Sequence, residues 1–396
     1  MSSRFLYRAA IGFFACFETF RDVFKRRGQR NREDVRRVIV PTQALFGDCV
    51  LLVPFIEQLI RRYPSAHITV AMRDTMAEFF RSRFPSITVV VWHERSFKTV
   101  LELLVLRDFD LAYIPWDERM NWVAKALGCR WIVGLGGNAR QRRFLDEVHD
   151  WAPGTVTHNL LRLLKISDQR ELLPHQSCDR SENSTSEGTK IVLNVGASME
   201  HKQWPAQHWT SVANSLRGLG YEILWIAGSE QKAIIQACKP HESDLVFAGT
   251  LNPDQLLSLI NESSLVISND SAVGQLTKLS FTPTLVIFGP SSPHTHGVET
   301  WGNPRWQPIW QEGIPCRNQP VLYRRQLPWV ERCTRSVEEC SNPVCITGIN
   351  PEHVIKLIKF ELGIEGSECA AGPLPELDRA EATALPHPRS INLNGQ

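Results

Sequence analysis

Three short clusters in this 396-residue chain have the types and spacing to handle a phosphate-bearing ligand. The first follows an apolar run, Ser264 to Ser268, that reads as a buried strand. It is Asn269-Asp270-Ser271, small polar residues that cap a helix starting near Ala272. A second apolar run, Thr284 to Phe288, then closes on Gly289-Pro290. Strand, polar turn, helix, strand is a parallel βαβ unit. In open α/β sheets, phosphates meet a helix N-terminus at the turn ending such a strand. The second cluster is Asn194-Val195-Gly196-Ala197-Ser198, followed by His201-Lys202-Gln203-Trp204-Pro205. Its small residues free backbone N–H groups at a strand end, and Lys202 adds an ammonium. The third is Phe46-Gly47-Asp48, which sets a carboxylate at a helix N-terminus. On the residues alone each cluster keeps a plainer reading: an ordinary N-cap, a solvated lysine, an N-cap aspartate.

The elements around these clusters alternate strand and helix. Strands are expected at Arg37 to Pro41, His67 to Ala71, Thr88 to Trp92, Leu111 to Pro115 and Trp131 to Gly134. Helices are expected at Asp48 to Arg62, around Thr75 to Phe84, near Phe97 to Arg107 and at Asn121 to Leu127. This is parallel-sheet character. A polar stretch, 167–189, reads as a linker. The alternation restarts at Lys190 to Val195 and runs to a last helix at Pro351 to Leu362. Residues 366–396 are Pro/Ala/Glu-rich without periodicity and read as disordered.

Bulk properties exclude some classes. A net charge of +2 gives no overall affinity for polyanions, and no nucleic-acid partner is expected. Residues 1–37 carry ten Lys/Arg against four Asp/Glu, around an apolar run too short to span a bilayer. No cleavage site follows it, so a secretory signal is not expected. Phe5, Leu6, Phe13, Phe14, Phe17 and Phe20 can share one face beside Arg4, Arg8, Arg21 and Lys25. The segment is then either an interfacial helix on the inner membrane face or a helix packed on the protein's own surface. Ten scattered cysteines without a secretion signal point to free thiols in a reducing cytoplasm. Cys316, Cys333, Cys340 and Cys345 cluster, but without paired C-x2-C spacing. Thiols without a metal are the expectation; a structural zinc or iron ion there is the minor alternative.

The stretch from Asn269 to Pro293 resembles the donor-binding signature of the bacterial heptosyltransferases, N-D-S-G-P-M-H-L-A-A-A-L-G-T-P-T-V-A-L-F-G-P-T-D-P. Asn269, Asp270, Ser271, Leu276, Thr282, Pro283, Thr284, Phe288, Gly289, Pro290 and Pro293 fall on it without a gap. Ala272 and Gln275 depart, standing where the family has Gly and His. Phe46 to Pro54 resembles the family's L-G-D-V-L-L-T-T-P, and the Lys202 cluster its H-P-G-A-S…K-R-W-P. Thr42 stands where the family has a basic residue.

The resemblance implies an α/β protein with two Rossmann-like domains facing each other across a cleft (GT-B type). The expected divisions are a basic segment 1–35, an acceptor-side domain 36–166, a linker 167–189, a donor-binding domain 190–350, a helix 351–365 that crosses back onto the first domain, and a tail 366–396. It implies an inverting, metal-independent transfer of a heptose from ADP-heptose to a saccharide acceptor such as lipopolysaccharide core, with no cofactor. Asp48 would be the general base. Gly196, Ala197, Ser198, Lys202, Glu230, Asn269, Asp270, Ser271 and Ala272 would bind the donor, with Gly289, Pro290 and His294 in a loop beside it. His294 and His296 are either plain loop histidines or, as the lesser alternative, a stand-in for the histidine missing at 275. Another nucleotide-sugar donor, or a non-catalytic nucleotide-sugar-binding protein of this fold, are the alternatives. An oxidoreductase is disfavoured, because no G-x-G-x-x-G follows the first strand.

Overall fold

A computed structural model describes residues 3–24, 34–116, 119–137, 142–166, 189–297 and 301–364. The expected linker over 167–188 and the tail 366–396 lie outside the described residues.

Two six-stranded parallel sheets organise the chain. The first holds β1 (Arg37–Pro41), β2 (His67–Met72), β3 (Thr88–Val91), β4 (Leu111–Ile114), β5 (Trp131–Leu135) and β6 (Glu147–His149), in the order β3-β2-β1-β4-β5-β6. The second holds β7 (Lys190–Asn194), β8 (Glu222–Ala227), β9 (Leu245–Ala248), β10 (Leu265–Asn269), β11 (Thr284–Phe288) and β12 (Trp306–Trp310), in the order β12-β11-β10-β7-β8-β9. These are the same winding. Strands covered by helices on both faces are buried along nearly their whole length, as β1 and β10 are. In each sheet the strand order reverses once, between β1 and β4 and between β7 and β10. A crevice opens beyond the carboxyl ends of the strands at such a reversal. All three phosphate-type clusters follow β1, β7 or β10, so topology brings them to those crevices.

Strand and helix limits differ from expectation by a residue or two at most ends. Two strands of these sheets were not expected: β6 is only three residues, and β12 carries Pro308, which weakens its strand pattern. The last helix, Pro351–Glu361, does not cross to the first domain. Val354, Leu357 and Ile358 pack into the second domain's core beside the helix Ala206–Gly218. Its apolar stripe finds a face of its own domain to cover.

The N-terminal helix, Ser3–Phe24, combines the two readings of its sequence. Tyr7, Ile11 and Ala15 are buried against the helix Arg119–Ala126, in one cluster with Trp92, Val123 and Ala124. Glu18 is buried between Arg21, at 3.1 Å, and Arg107. The helix is therefore part of the first domain's core, and removing it would uncover that cluster. Its other side leaves Phe13, Phe17 and Phe20 exposed, at 68%, 48% and 65%. It also touches the helix Phe97–Val105, whose Phe97, Leu101 and Val105 are exposed as well. No helix among the described residues is long and apolar enough to cross a membrane.

Candidate active site between the two sheets

Asp48 stands in the first turn of the helix Phe46–Arg62, which opens right after β1. Thr42 and Gly47 set this turn. Thr42 is buried, and its hydroxyl accepts from the Ala44 N–H at 3.1 Å, so the position where the family carries a cation is here a turn former. Gly47 serves close approach rather than unusual φ. A Cβ there would lie 3.4 Å from the Ala272 Cα, where the helix Ala272–Leu276 of the second domain abuts. Ala272, the departure from glycine, is thus a packing residue between the domains.

The second domain brings Lys202 and Asp270 to the same region. Lys202 Nζ donates to Asp270 Oδ2 at 2.5 Å, and the Ser291 hydroxyl also donates to Oδ2. Both partners are largely withdrawn from water, with side-chain exposures of 15% and 7%. Burial works against the Asp270 charge, but Lys202 and the site around it outweigh burial and hold the carboxyl below its usual range. Asp48 moves the other way. Loss of water raises its pKa, and the bond from Tyr323 and the charge of Lys202 only partly offset this. Two carboxyls in one site are therefore pushed apart, one firmly ionised and one readier to take a proton. Burial also lowers His296 to about 3, so its ring is neutral beside Asp270.

The expected donor residues divide into those that face this site and those that build it. Asn269 is fully buried; its amide accepts from Trp204 N at 3.1 Å and donates to Val195 O at 2.7 Å. It cross-links two loops, with both atoms of its amide engaged. Ser271 caps the helix Ala272–Leu276 and receives Asn194 Nδ2 at 2.9 Å. A Cβ at Gly196 would come within 2.5 Å of Gln231 Oε1 and 3.1 Å of Ala227 Cα, so a side chain there would displace Gln231 and crowd the Ala227 backbone. Ala197 is buried, with its carbonyl accepting from Gln231, while Ser198 is exposed. Glu230 is exposed on the turn Ser229–Gln231; its neighbour Gln231, not anticipated from sequence, holds the glycine loop. The carbonyls of Gly289 and Pro290 are taken up within the second domain. The Gly289 carbonyl accepts Arg317 Nε and Nη2 at 2.9 and 2.6 Å, and the Pro290 carbonyl accepts Cys333 N. His294 is exposed against Trp310, with ring centroids 5.0 Å apart, so His296 is the histidine at the cluster. Gln275 donates to the His296 carbonyl at 3.0 Å, and its buried Oε1 has no partner.

The most informative missed residue is Tyr323. It lies in a two-stranded hairpin, β13 (Val321–Leu322) and β14 (Arg325–Gln326), inside a stretch without periodicity. Its hydroxyl donates to Asp48 Oδ1 at 2.8 Å. Trp116 stacks on the ring at 5.7 Å and Trp151 lies at 5.8 Å. Tyr323 and Arg324 form the two-residue turn with φ of 46° and 61°. That left-handed backbone costs a non-glycine residue roughly 1–2 kcal/mol, and such turns ordinarily take Asn-Gly. The hairpin is fastened by buried Arg325, which donates to the carbonyls of Trp116 at 2.6 Å, Gly136 at 3.0 Å and Leu135 at 3.3 Å. A pocket beside Asp48 is lined by Gln43, Leu45, Trp116, Arg119, Tyr323 and Arg324.

The four clustered cysteines do converge. They line one small pocket with His201, whose buried ring nitrogens both lack a partner. Arg335 Nη1 lies 3.5 Å from the Cys333 sulfur, and the neighbouring Cys316 and Arg335 hold the Cys333 thiol below its usual range. Among the described residues no group of three or more His, Cys, Asp or Glu is arranged to hold a metal ion.

Known proteins share both the frame and the sequence pattern. Residues 122–318 match the family model described as glycosyltransferase family 9 (heptosyltransferase). Lipopolysaccharide heptosyltransferase 1 of Pseudomonas aeruginosa is 21% identical over 355 residues, spanning 81% of this chain and 96% of that protein. A family 9 glycosyltransferase from Veillonella parvula superposes with a TM-score of 0.67 at 18% identity, over 85% of this chain and 99% of its own. The ADP-heptose lipopolysaccharide heptosyltransferase II of E. coli gives 0.61 at 18% identity, over 83% and 98%. With two sheets of the same winding, a cluster of ionisable groups between them and this matching central segment, the chain is a glycosyltransferase similar to the heptosyltransferases of family 9.

Proposed function

We propose that this enzyme moves a heptose from ADP-heptose to a saccharide acceptor such as lipopolysaccharide core, with inversion at the anomeric carbon and without a catalytic metal. The observation that carries the reading is the pairing of Asp48 on one domain with Lys202 and Asp270 on the other. Asp48 takes the proton of the acceptor hydroxyl as that oxygen attacks the anomeric carbon, and the bond to the diphosphate breaks with its electron pair leaving on ADP. A carboxylate suffices as base because the hydroxyl becomes acidic only as the new C–O bond forms. Lys202 has three protons and spends one on Asp270. The other two, with the N–H groups of the Gly196-Ala197-Ser198 loop and the Ser271-capped helix end, meet the charge of the leaving diphosphate. Asp270 holds Lys202 and touches no phosphate, since a carboxylate there would be repelled. Transfer from ADP-heptose, compared with UDP- and GDP-sugars, tests the donor.

Chelators are expected to leave this transfer intact, because fixed protein cations and N–H groups supply the charge. Loss of activity restored by Mg²⁺ or Mn²⁺ contradicts that. A slow loss accompanied by unfolding would instead locate a structural ion at Cys316, Cys333, Cys340, Cys345 and the unpartnered His201.

The reading extends to a place of work on the cytoplasmic face of the inner membrane. Its support is the exposure of Phe13, Phe17 and Phe20 on the first helix and of Phe97, Leu101 and Val105 on a helix it touches, together with a basic sequence in which each Lys/Arg adds about 1 kcal/mol at an anionic surface. Deletion of residues 1–30 is a poor probe, since Tyr7, Ile11, Ala15 and Glu18 are core. Phe13→Ser/Phe17→Ser/Phe20→Ser is expected to keep the melting temperature within a few degrees, as exposed substitutions do. It should sediment less with anionic vesicles. Equal sedimentation of the two proteins counts against the membrane.

A further inference from the structure

The hairpin Val321–Gln326 follows β12, the edge strand of the second sheet, yet it is fastened to the first. Arg325 reaches carbonyls at the carboxyl ends of β4 and β5, and Tyr323 lies between Trp116 and Trp151 of the first domain. Its tip ends on Asp48 Oδ1. The hairpin is therefore a strut, carried by one domain and seated in the other, whose terminal hydroxyl meets the one carboxylate proposed as base. The turn that presents the hydroxyl is left-handed at two side-chain-bearing residues, so the backbone is held in an unfavourable form at this point. A tyrosine that only filled space between two tryptophans would need neither the strained turn nor the hydrogen bond.

We propose that Tyr323 is the positioning residue of Asp48: its O–H occupies Oδ1 and leaves Oδ2 to take the acceptor proton, so the base is aimed only while the hairpin is seated and the domains are closed. This rests on the reading of Asp48 as base. In the transfer step the acceptor proton goes to Oδ2, the acceptor oxygen bonds to the anomeric carbon, and ADP leaves with the electron pair. The phenol keeps its proton throughout, since burial and the Asp48 charge both hold it on the oxygen. Because the bond favours ionised Asp48, its loss raises the pH at which Asp48 takes up a proton.

Tyr323→Phe keeps the ring between its tryptophans. It is expected to lower kcat about tenfold, less than the roughly 10²–10⁴-fold worth of the positioned base itself, with ADP affinity unchanged. The acid limb of kcat/KM should move up by about one pH unit, the scale of one hydrogen bond to an ionised carboxylate. A fluorotyrosine at 323 has nearly the same shape and a more acidic hydroxyl, and should move that limb down. Opposite displacement of the limb in the two variants supports the role. An unmoved limb in both, with an active wild type, overturns it and leaves Tyr323 as packing. A rise in kcat in Tyr323→Phe also overturns it, since Tyr323 would then be a plug in the acceptor site. Inactivity of the wild type on ADP-heptose would count against the donor reading instead.

Discussion

Asp48→Asn is expected to fold like the wild type, bind ADP equally well and turn over at least about 10²-fold more slowly, the usual worth of a positioned base. An amide can still accept from the Tyr323 hydroxyl 2.8 Å away, so the contact between hairpin and first domain survives. What it lacks is a site for the acceptor proton. The wild type should also carry a signature of this residue in its pH profile. Asp48 acts as base only when ionised, and loss of water raises its pKa. The acid limb of kcat/KM should therefore lie above the ordinary carboxylate range, with activity lost as pH falls through it. Residual activity in Asp48→Asn should lack that limb. Wild-type turnover in the variant would remove Asp48 as the base.

Lys202→Ala is expected to do two separable things. It should weaken binding of bare ADP by about 1.5–3 kcal/mol, the scale of hydrogen bonds to charged groups. It should also destabilise the fold by roughly 3–5 kcal/mol at neutral pH, because one member of a buried pair leaves the other uncompensated. The sign with pH follows from Asp270. In the wild type its folded pKa is depressed, so its contribution is present above the unfolded carboxylate pKa and lost as pH falls through the folded value. Without Lys202, burial dominates and the folded pKa rises, so the penalty is greatest at neutral pH and relaxes on acidification. The stability gap between the two proteins should narrow in acid. Lys202→Ala/Asp270→Asn should recover most of the stability while ADP binding stays weak. Chemical denaturation at neutral and acid pH, with calorimetry on ADP, separates the effects. A gap that does not narrow in acid would show that the pair is not the cause.

The frame was legible because its signals are local. Apolar runs ending in small polar residues sit where parallel strands deliver their loops, and Asp48, Lys202 and Asp270 all lie one to eight residues beyond such a run. Assigning each residue its task was harder. Asn269 and Gly289 fall on the signature, but their bonds go to Trp204, Val195 and Arg317, and a one-dimensional pattern does not distinguish a residue that touches a ligand from one that holds the loop. His294 and His296 are two residues apart, and only the backbone of that turn decides which ring meets Asp270. Tyr323 gave no signal at all. Its partner is 275 residues away, and its hairpin has two-residue strands and a Tyr-Arg turn in place of the usual Asn-Gly. The N-terminal helix left two readings open for a further reason. Apolar residues on two sides of a helix look like one broad face until something is packed against it, and here Tyr7, Ile11 and Ala15 turn inward while Phe13, Phe17 and Phe20 turn out.

The central claim is tested most directly by incubating the wild-type protein with ADP-heptose and a lipopolysaccharide-core acceptor, following ADP release and determining the anomeric configuration of the product by NMR. Heptose added to the acceptor with the configuration inverted relative to the donor, at a rate abolished in Asp48→Asn, is the predicted result. Transfer with retained configuration, or transfer only from a different nucleotide-sugar, would contradict the account.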